Sequence, residues 1–159
     1  MTTLVSSDLA PALASDASVK EFSEVILHLS MAFQEALRRL AGQDEAFPSE
    51  GYGMLTEAYG LRTRANILYL TPSTHVVQAL NFSQTAMLGK FKEILNCLSG
   101  VTDLHTVNSI LVSVITIASA LGEGRAKVIE FLFETLCIDL ESWKVESISP
   151  TKKDVRGRL

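Results

Sequence analysis

At 159 residues the chain has the length of one domain, enough to bury roughly two-thirds of the surface its unfolded form would expose. A net charge of -4 leaves no electrostatic footprint for nucleic acid, and the only basic stretch is the tail, with Lys152, Lys153, Arg156 and Arg158. Two cysteines, Cys97 and Cys137, sit inside apolar helical patterns, which points to reduced thiols in a cytosolic setting and argues against a disulfide framework.

Residues 1–17 are small and polar and read as a flexible lead, with no basic start and continuous apolar run to suggest a signal peptide. Ser18 followed by Glu21 predicts a capped helix start. From there Phe22, Val25, Ile26, Leu29, Phe33, Ala36, Leu37 and Leu40 keep helical spacing as far as a stop at Gly42. Glu21, Glu24, His28 and Glu35 fall on the wet side of that helix. A polar loop over 43–48 leads to a second helix from Glu50 to about Leu68, with an apolar stripe of Met54, Leu55, Ala58, Leu61 and Ala65. Gly51, Gly53 and Gly60 each weaken this helix relative to alanine, and mark either a weakness or a close approach.

Thr71 with Pro72 offers a third start. The pattern from Ser73 to Leu98 is helical with a break near 81–83, an inner face of Met87, Phe91, Ile94, Leu95 and Leu98, and a stop at Ser99-Gly100. Thr102 or Asp103 then caps the stretch Thr106–Gly122, which carries no charge and is apolar on every side. Such a helix is expected to be buried all round, with neighbours arranged about it. Ser109, Ser113 and Thr116 form its one small polar row, suited to bonding back to its own carbonyls or to close helix approach. A membrane span is the rival reading, but about 17 uncharged residues including Asn108 and several hydroxyls is short and polar for that. The turn at Gly122-Glu-Gly124 is tight enough to force an antiparallel hairpin with a helix from Arg125 to about Leu140. That last helix is predicted to bury Val128, Ile129, Leu132, Phe133, Leu136 and Cys137. A separate short turn over 141–148 carries Trp143, and Pro150 ends regular structure. No strand signal, repeat or low-complexity segment competes, so the expectation is an all-α domain over 18–149 followed by a basic polar tail over 150–159.

This order of elements resembles the B-cell lymphoma two (Bcl) family of apoptosis regulators. Leu55-Thr-Glu-Ala-Tyr-Gly60-Leu61 looks like the family's third homology motif, a leucine followed by glycine on an amphipathic helix. Phe91-Lys-Glu-Ile-Leu-Asn-Cys-Leu98 with Gly100-Val101 is similar to the lead into its first motif, and the central helix follows directly. Val128–Trp143, with Leu140-Glu141 and Trp143, resembles the sixth helix running into the second motif. There are departures. Leu61 stands where the third motif has an acidic residue, and the Asn-Trp-Gly-Arg signature of the central helix is absent. Aligned on Gly100-Val101, its arginine falls at or near His105; aligned on Asn108, it falls on Leu111. In the family that arginine pairs with an aspartate of the bound helix, a contact that a neutral histidine cannot make and a protonated one makes in part.

The resemblance implies a Bcl-like helical bundle with a buried central apolar hairpin wrapped by amphipathic helices. It also implies a function: inhibition of apoptosis by sequestering the amphipathic death-motif helices of pro-apoptotic proteins in a hydrophobic groove. The groove would be lined by Met54, Leu55, Ala58, Tyr59, Leu80, Met87, Phe91, Ile94, Leu95 and His105. The degraded signatures look more like those of a viral mimic acting in a host cell than those of a host protein. The tail carries no hydrophobic anchor, so the expected location is cytoplasmic, with recruitment to mitochondria through partners.

Without the resemblance, Met87, Phe91, Ile94 and Leu95 are an ordinary core stripe. Enzyme chemistry is not expected. Glu57, Glu93 and Glu134 lie on different predicted helices, neither cysteine has a base the sequence can place, and no glycine-rich phosphate loop is present. His28, His75 and His105 are too scattered for a metal signature, and no cofactor is implied. Two other non-enzymatic readings stand beside the first: a self-associating homodimer whose groove is covered by a second copy, and a bundle holding an apolar ligand.

Overall fold

The computed structural model describes residues 10–45 and 47–148. Five α-helices run in order, α1 Asp16–Ala41, α2 Phe47–Leu70, α3 Gln84–Gly100, α4 Leu104–Glu123 and α5 Ala126–Ile148, with one turn of 3-10 helix at Pro72–His75 between α2 and α3. The described residues contain no strand, only an isolated bridge between Pro11 and Ser83, so the chain is all-α over the described residues. The expected tail over 150–159 and the stop at Pro150 lie outside them.

The cap of helix α1 lies three residues before the expected one. Ser15 is the N-cap and accepts from the Ser18 amide at 3.2 Å, while the Ser18 hydroxyl, serving as the third residue of the box, accepts from the Ser15 amide at 2.9 Å. Ser18 therefore belongs to the capping box, in the reciprocal position. Phe22, Ile26, Leu29, Phe33, Leu37 and Leu40 are fully buried along one broad face, and Gly42 closes the helix as expected.

The predicted flexible lead is not loose over the described part. Ala12 and Leu13 are buried, and their backbones are held by Phe82, Val77 and the amide side chain of Gln84. Leu13 is kept at φ 60° by this clamp, a backbone region that a leucine enters at a cost of about 1–2 kcal/mol. Buried Gln84 is the knot: its Oε1 accepts from the Leu13 amide, and its Nε2 donates to the Ser18 carbonyl and to Glu21, all at 2.9 Å.

Helix α2 also begins early, at Phe47, because Pro48 in a first turn lacks only an amide hydrogen that has no helical partner there. Beyond the 3-10 turn, residues 76–83 are not helical, so the predicted helix from Ser73 is only that turn, and α3 starts after the Ser83 cap, whose hydroxyl accepts from the Ala86 amide at 3.0 Å. Between α4 and α5, Gly124 adopts φ 65° and returns its amide to the Ala120 and Leu121 carbonyls at 3.2 Å. Helix α5 then runs unbroken to Ile148, so the expected separate turn over 141–148 is its last part.

Helix α1 packs against α2, α3 and α4; α4 in turn packs against α1, α2 and α5, and α5 rests on α3 and α4. Two expectations change. Helix α4 is buried on only part of its surface: Val107, Ile110, Leu111 and Val114 are in the core, while His105, Asn108, Val112 and Thr116 are exposed. Helix α5 is an outer helix. Ile129, Leu136, Leu140 and Trp143 face inward, Leu132, Phe133 and Cys137 are half-buried, and Val128 is exposed with Phe131, Ile138 and Val145. The small polar row of α4 is used in two ways. Thr116 bonds back to the Val112 carbonyl at 2.7 Å, and Ser109 accepts the Trp143 indole N–H at 3.2 Å, joining α5 to α4.

The start of α4 is capped from three places. Asp103 accepts the Thr106 amide at 2.7 Å, Asp44 from the α1–α2 loop accepts the Leu104 amide at 3.1 Å, and Glu146 of α5 accepts the Thr106 hydroxyl at 2.6 Å. Two carboxylates thus meet orphan amides, and a third, holding the Thr106 hydroxyl, joins them at the positive end of the helix. The end of α3 is held from α1, where Arg39 donates to the Leu98 and Val101 carbonyls at 3.1 and 2.9 Å.

Phe91 of α3 sits edge-on against Phe22 of α1, ring centroids 5.2 Å apart, with both side chains closed off from solvent. Phe91→Ala is therefore expected to cost about 3–5 kcal/mol of unfolding free energy in a denaturant titration. A loss under 1 kcal/mol would mean this face is not packed as described.

On the outside, Lys144 of α5 bonds Glu93 of α3 and also reaches Glu141 at 3.2 Å, while Lys90 lies 3.5 Å from Glu93. The Lys144 hydrogen bond, chiefly, holds the Glu93 carboxyl below its ordinary value of 4.5, and the same contact holds the Lys144 ammonium above 10.5. A lowered carboxyl pKa stabilises the fold above the unfolded value and loses that contribution as pH falls through the folded one. The stability difference between wild type and Glu93→Gln, followed by thermal melts, should be present at pH 7 and be lost as pH falls below 4.5 and through the lowered folded value. The pair is about one-third exposed, so solvent and salt screen it and the effect is small. A difference that persists at low pH would remove the charge explanation.

Candidate functional site

A cleft runs between α2 and α4 along most of their shared length. Near their N-terminal ends it opens to about 650 Å³, with Met54, Leu111, Val112 and Ile115 as its apolar surface and Glu50, Glu57, His105 and Asn108 as its polar margin. It continues past Gly60, Thr63 and Arg64 as a second opening of about 430 Å³, and reaches Ile67, Ala118 and Gly122 in a narrow third one. The helix starts lie at the same end of the cleft, so α2 and α4 run roughly parallel. From Glu50 to Ile67 the cleft is about 26 Å long at 1.5 Å per residue.

The helical repeat explains how α2 builds its wall. Glu50, Gly53, Glu57, Gly60, Arg64 and Ile67 succeed one another at intervals of three and four and so share a face. On α4, His105, Asn108, Val112 and Ile115 do the same. The apolar surplus of α4 ends up here: Val112 is 53% exposed on the cleft. The three glycines of α2 divide into two kinds. A Cβ at Gly51 would run into the ring of Phe47, which folds over it and stacks edge-on with Tyr52 at 5.3 Å. Cβ atoms at Gly53 or Gly60 would meet nothing within 4 Å, so these two leave the cleft wall open. Gly89 of α3 is equally open but lies away from the cleft.

The residues expected to line a groove are distributed over two places. Met54 and His105 meet in the cleft. Ala58 is fully buried at the α1 interface, where its carbonyl accepts the Ser30 hydroxyl at 2.7 Å; Leu55 is half-buried and Tyr59 is 50% exposed. Leu80, Met87, Phe91 and Ile94 are all in the core, and Leu95 is half-buried against it. Helices α2 and α3 both pack on α1 and share no extended contact, so their residues do not form the two walls of one open channel. The expected groove combined the apolar stripes of two helices. The stripes of α2 and α3 are the faces turned to the core, and the cleft is built from α2's other, glycine-bearing face. The signal for it was present in Gly53 and Gly60 spaced by seven residues, and in the excess apolarity of α4.

No ion pair within 4 Å engages Glu50, Glu57 or Arg64 among the described residues. The described residues contain no cluster of histidine, cysteine and carboxylate groups able to hold a metal ion. Cys137 lies on α5, and burial raises its thiol pKa, the reverse of what an activated nucleophile needs.

Because Gly60 faces open space in a helix, Gly60→Ala should raise stability by about 0.5–1 kcal/mol in denaturant unfolding. Gly51→Ala, made in the same helix, should lose that gain to the displaced Phe47 ring. Equal effects at both positions would contradict the packing described. Compared with known proteins, the chain matches no family model, no curated protein and no solved structure.

Proposed function

We propose that the chain is a helix-binding protein of the survival type, a divergent Bcl-like bundle of viral ancestry, that holds amphipathic death-motif helices of pro-apoptotic proteins in its surface cleft. The observation that carries the reading is the α2–α4 cleft, an open channel with an apolar surface at Met54, Leu111, Val112 and Ile115 and charged margins. Its length of about 26 Å matches a partner helix of roughly 17 residues, and an amphipathic helix places anchors at i, i+3 or i+4 and i+7 along such a channel. The motif resemblance supplies the class of partner. The action is mass-action sequestration with no covalent step, and it fits a cytoplasmic protein drawn to mitochondria by what it binds. The charged margins match a helix with polar flanks better than a wholly apolar ligand.

A second reading is favoured by one feature. Phe131, Ile138 and Val145 are 66–67% exposed at seven-residue spacing on α5. That stripe suits self-association through the outer face of the bundle.

Titration of the purified protein with death-motif peptides tests the first reading. At least one peptide should bind, and Val112→Glu, a change at an exposed cleft position that leaves the core untouched, should weaken it at least about tenfold by placing a charge against the apolar anchors. Phe91→Ala is unsuitable for this purpose because it damages the core. Silence across the panel, or equal binding by the Val112 variant, would reject the cleft as the site. Sedimentation of the unliganded protein in the same series reads the second alternative, a dimer that dissociates in Phe131→Glu.

A further inference from the structure

The charges along the cleft are sorted by position. Glu50 and Glu57 stand at its wide end, two helical turns apart, and Arg64 stands two further turns along, where His75 also borders the narrow end. The three charged residues of α2 on this face are all exposed and unpaired with any ion within 4 Å among the described residues. An acidic end and a basic end about 10 Å apart, along one apolar channel, give the site a direction.

From this we infer that the cleft takes a helix in one orientation and of one charge order: antiparallel to α2, with acidic residues in its N-terminal half against Arg64 and basic residues in its C-terminal half against Glu57 and Glu50. The inference rests on the helix-binding reading above and deepens it. Two independent arguments choose this orientation. Helices α2 and α4 run parallel, so an antiparallel guest opposes both macrodipoles. A helix with acids first and bases last is also the one its own dipole stabilises, so the guest that fits the wall charges is the better helix in isolation. The opposite orientation would need acids at the guest's C-terminus and bases at its N-terminus, which weakens the guest's own helix. Separated by about two turns, the guest's acidic and basic groups fall at i and i+7, on the same face as its apolar anchors at i+3 and i+4.

The test uses two synthetic amphipathic peptides of 18 residues with identical composition and the same leucine stripe. One carries aspartates in its first half and lysines in its second; the other has these exchanged. Each is titrated against the wild-type protein and against the double variant Glu57→Arg with Arg64→Glu, at low and high salt, with circular dichroism to establish that the variant keeps its helix content. The acid-first peptide should bind wild type about fivefold tighter or more, relative to the exchanged peptide, than it binds the double variant, and this coupling should shrink in 1 M salt. Using the ratio between proteins cancels the peptides' different helicity. Binding of both peptides with the same ratio in both proteins would overturn the charge order while leaving helix binding intact. Absence of binding by either peptide to a folded protein would overturn both. A change in sedimented mass of the double variant without peptide would show that a second copy occupies the cleft, and would also overturn the inference.

Discussion

The fully buried face of α1 is the constraint on which the remaining structure depends. Phe22, Ile26, Leu29, Phe33, Leu37 and Leu40 present one continuous apolar surface, and α2, α3 and α4 are all seated on it. Burying these side chains contributes about 1.5–3 kcal/mol for each. The polar groups on the same helix set register. Ser30, fully buried, donates to the Ala58 carbonyl of α2 and accepts from Gln34 at 3.2 Å, so a shift of α2 along α1 would leave buried hydrogen-bonding groups without partners. The last turn of α1 reaches α3 through Arg39, and Gln84 ties the N-terminal segment to α1 and α3 together.

Once α1 takes that position, the cleft follows from a shortage of neighbours. Helix α4 is apolar enough by length and composition to cross a membrane, yet only 56% of its most apolar window is buried in the bundle. Helices α1, α2 and α5 cover three of its sides. The uncovered part is where Val112 and Ile115 border the channel, and α2 does not close over them because its facing residues at 53 and 60 have no side chains. The heavily capped start of α4 keeps this exposed helix from fraying at the cleft's wide end, since Asp44, Asp103 and Glu146 bind it from three different elements.

Helix existence was legible because strong 3.6-residue patterns and local stop signals agreed. Gly42, Gly100 and Gly124 end helices α1, α3 and α4 where their sequence implied. Starts were read less well: Ser18 takes part in a capping box whose cap is Ser15, and Pro48 hid the first turn of α2. The segment over 73–83 looked helical by composition, but its backbone is committed to tertiary bonds, Val77 to Leu13 and Phe82 to Ala12, and Ala79 sits at φ 60°. Apolar stripes identified the inward faces of α1, α2 and α3 while saying nothing about which face a partner would meet. That is why Met87, Phe91 and Ile94, placed on a groove wall from their pattern, are in the core, whereas the cleft is signalled by glycine and by exposed charge. The outer stripe of α5 was hidden for the converse reason: Val128 and Phe133 read as core, and sequence could not show that α5 has neighbours on only one side.

Helix α2 carries the sharpest conflict between local preference and tertiary need. Gly51 is explained by Phe47, because the ring occupies the space a side chain would take. Gly53 and Gly60 have no such reason, and each costs the helix about 1 kcal/mol relative to alanine. Tyr52 and Tyr59, each preceding one of these glycines, are 66% and 50% exposed, so this helix also spends aromatic surface on solvent. A helix built only to cover the core would place alanine at 53 and 60 and polar residues at 52 and 59. Sequences that depart from local consistency at several positions on one face do so where function competes with stability. The two glycines fall on the face that borders Val112 and Ile115, beside Glu57 and Arg64, while both tyrosines lie off it, so the weakened helix, the open wall and the wall charges coincide along one line of α2.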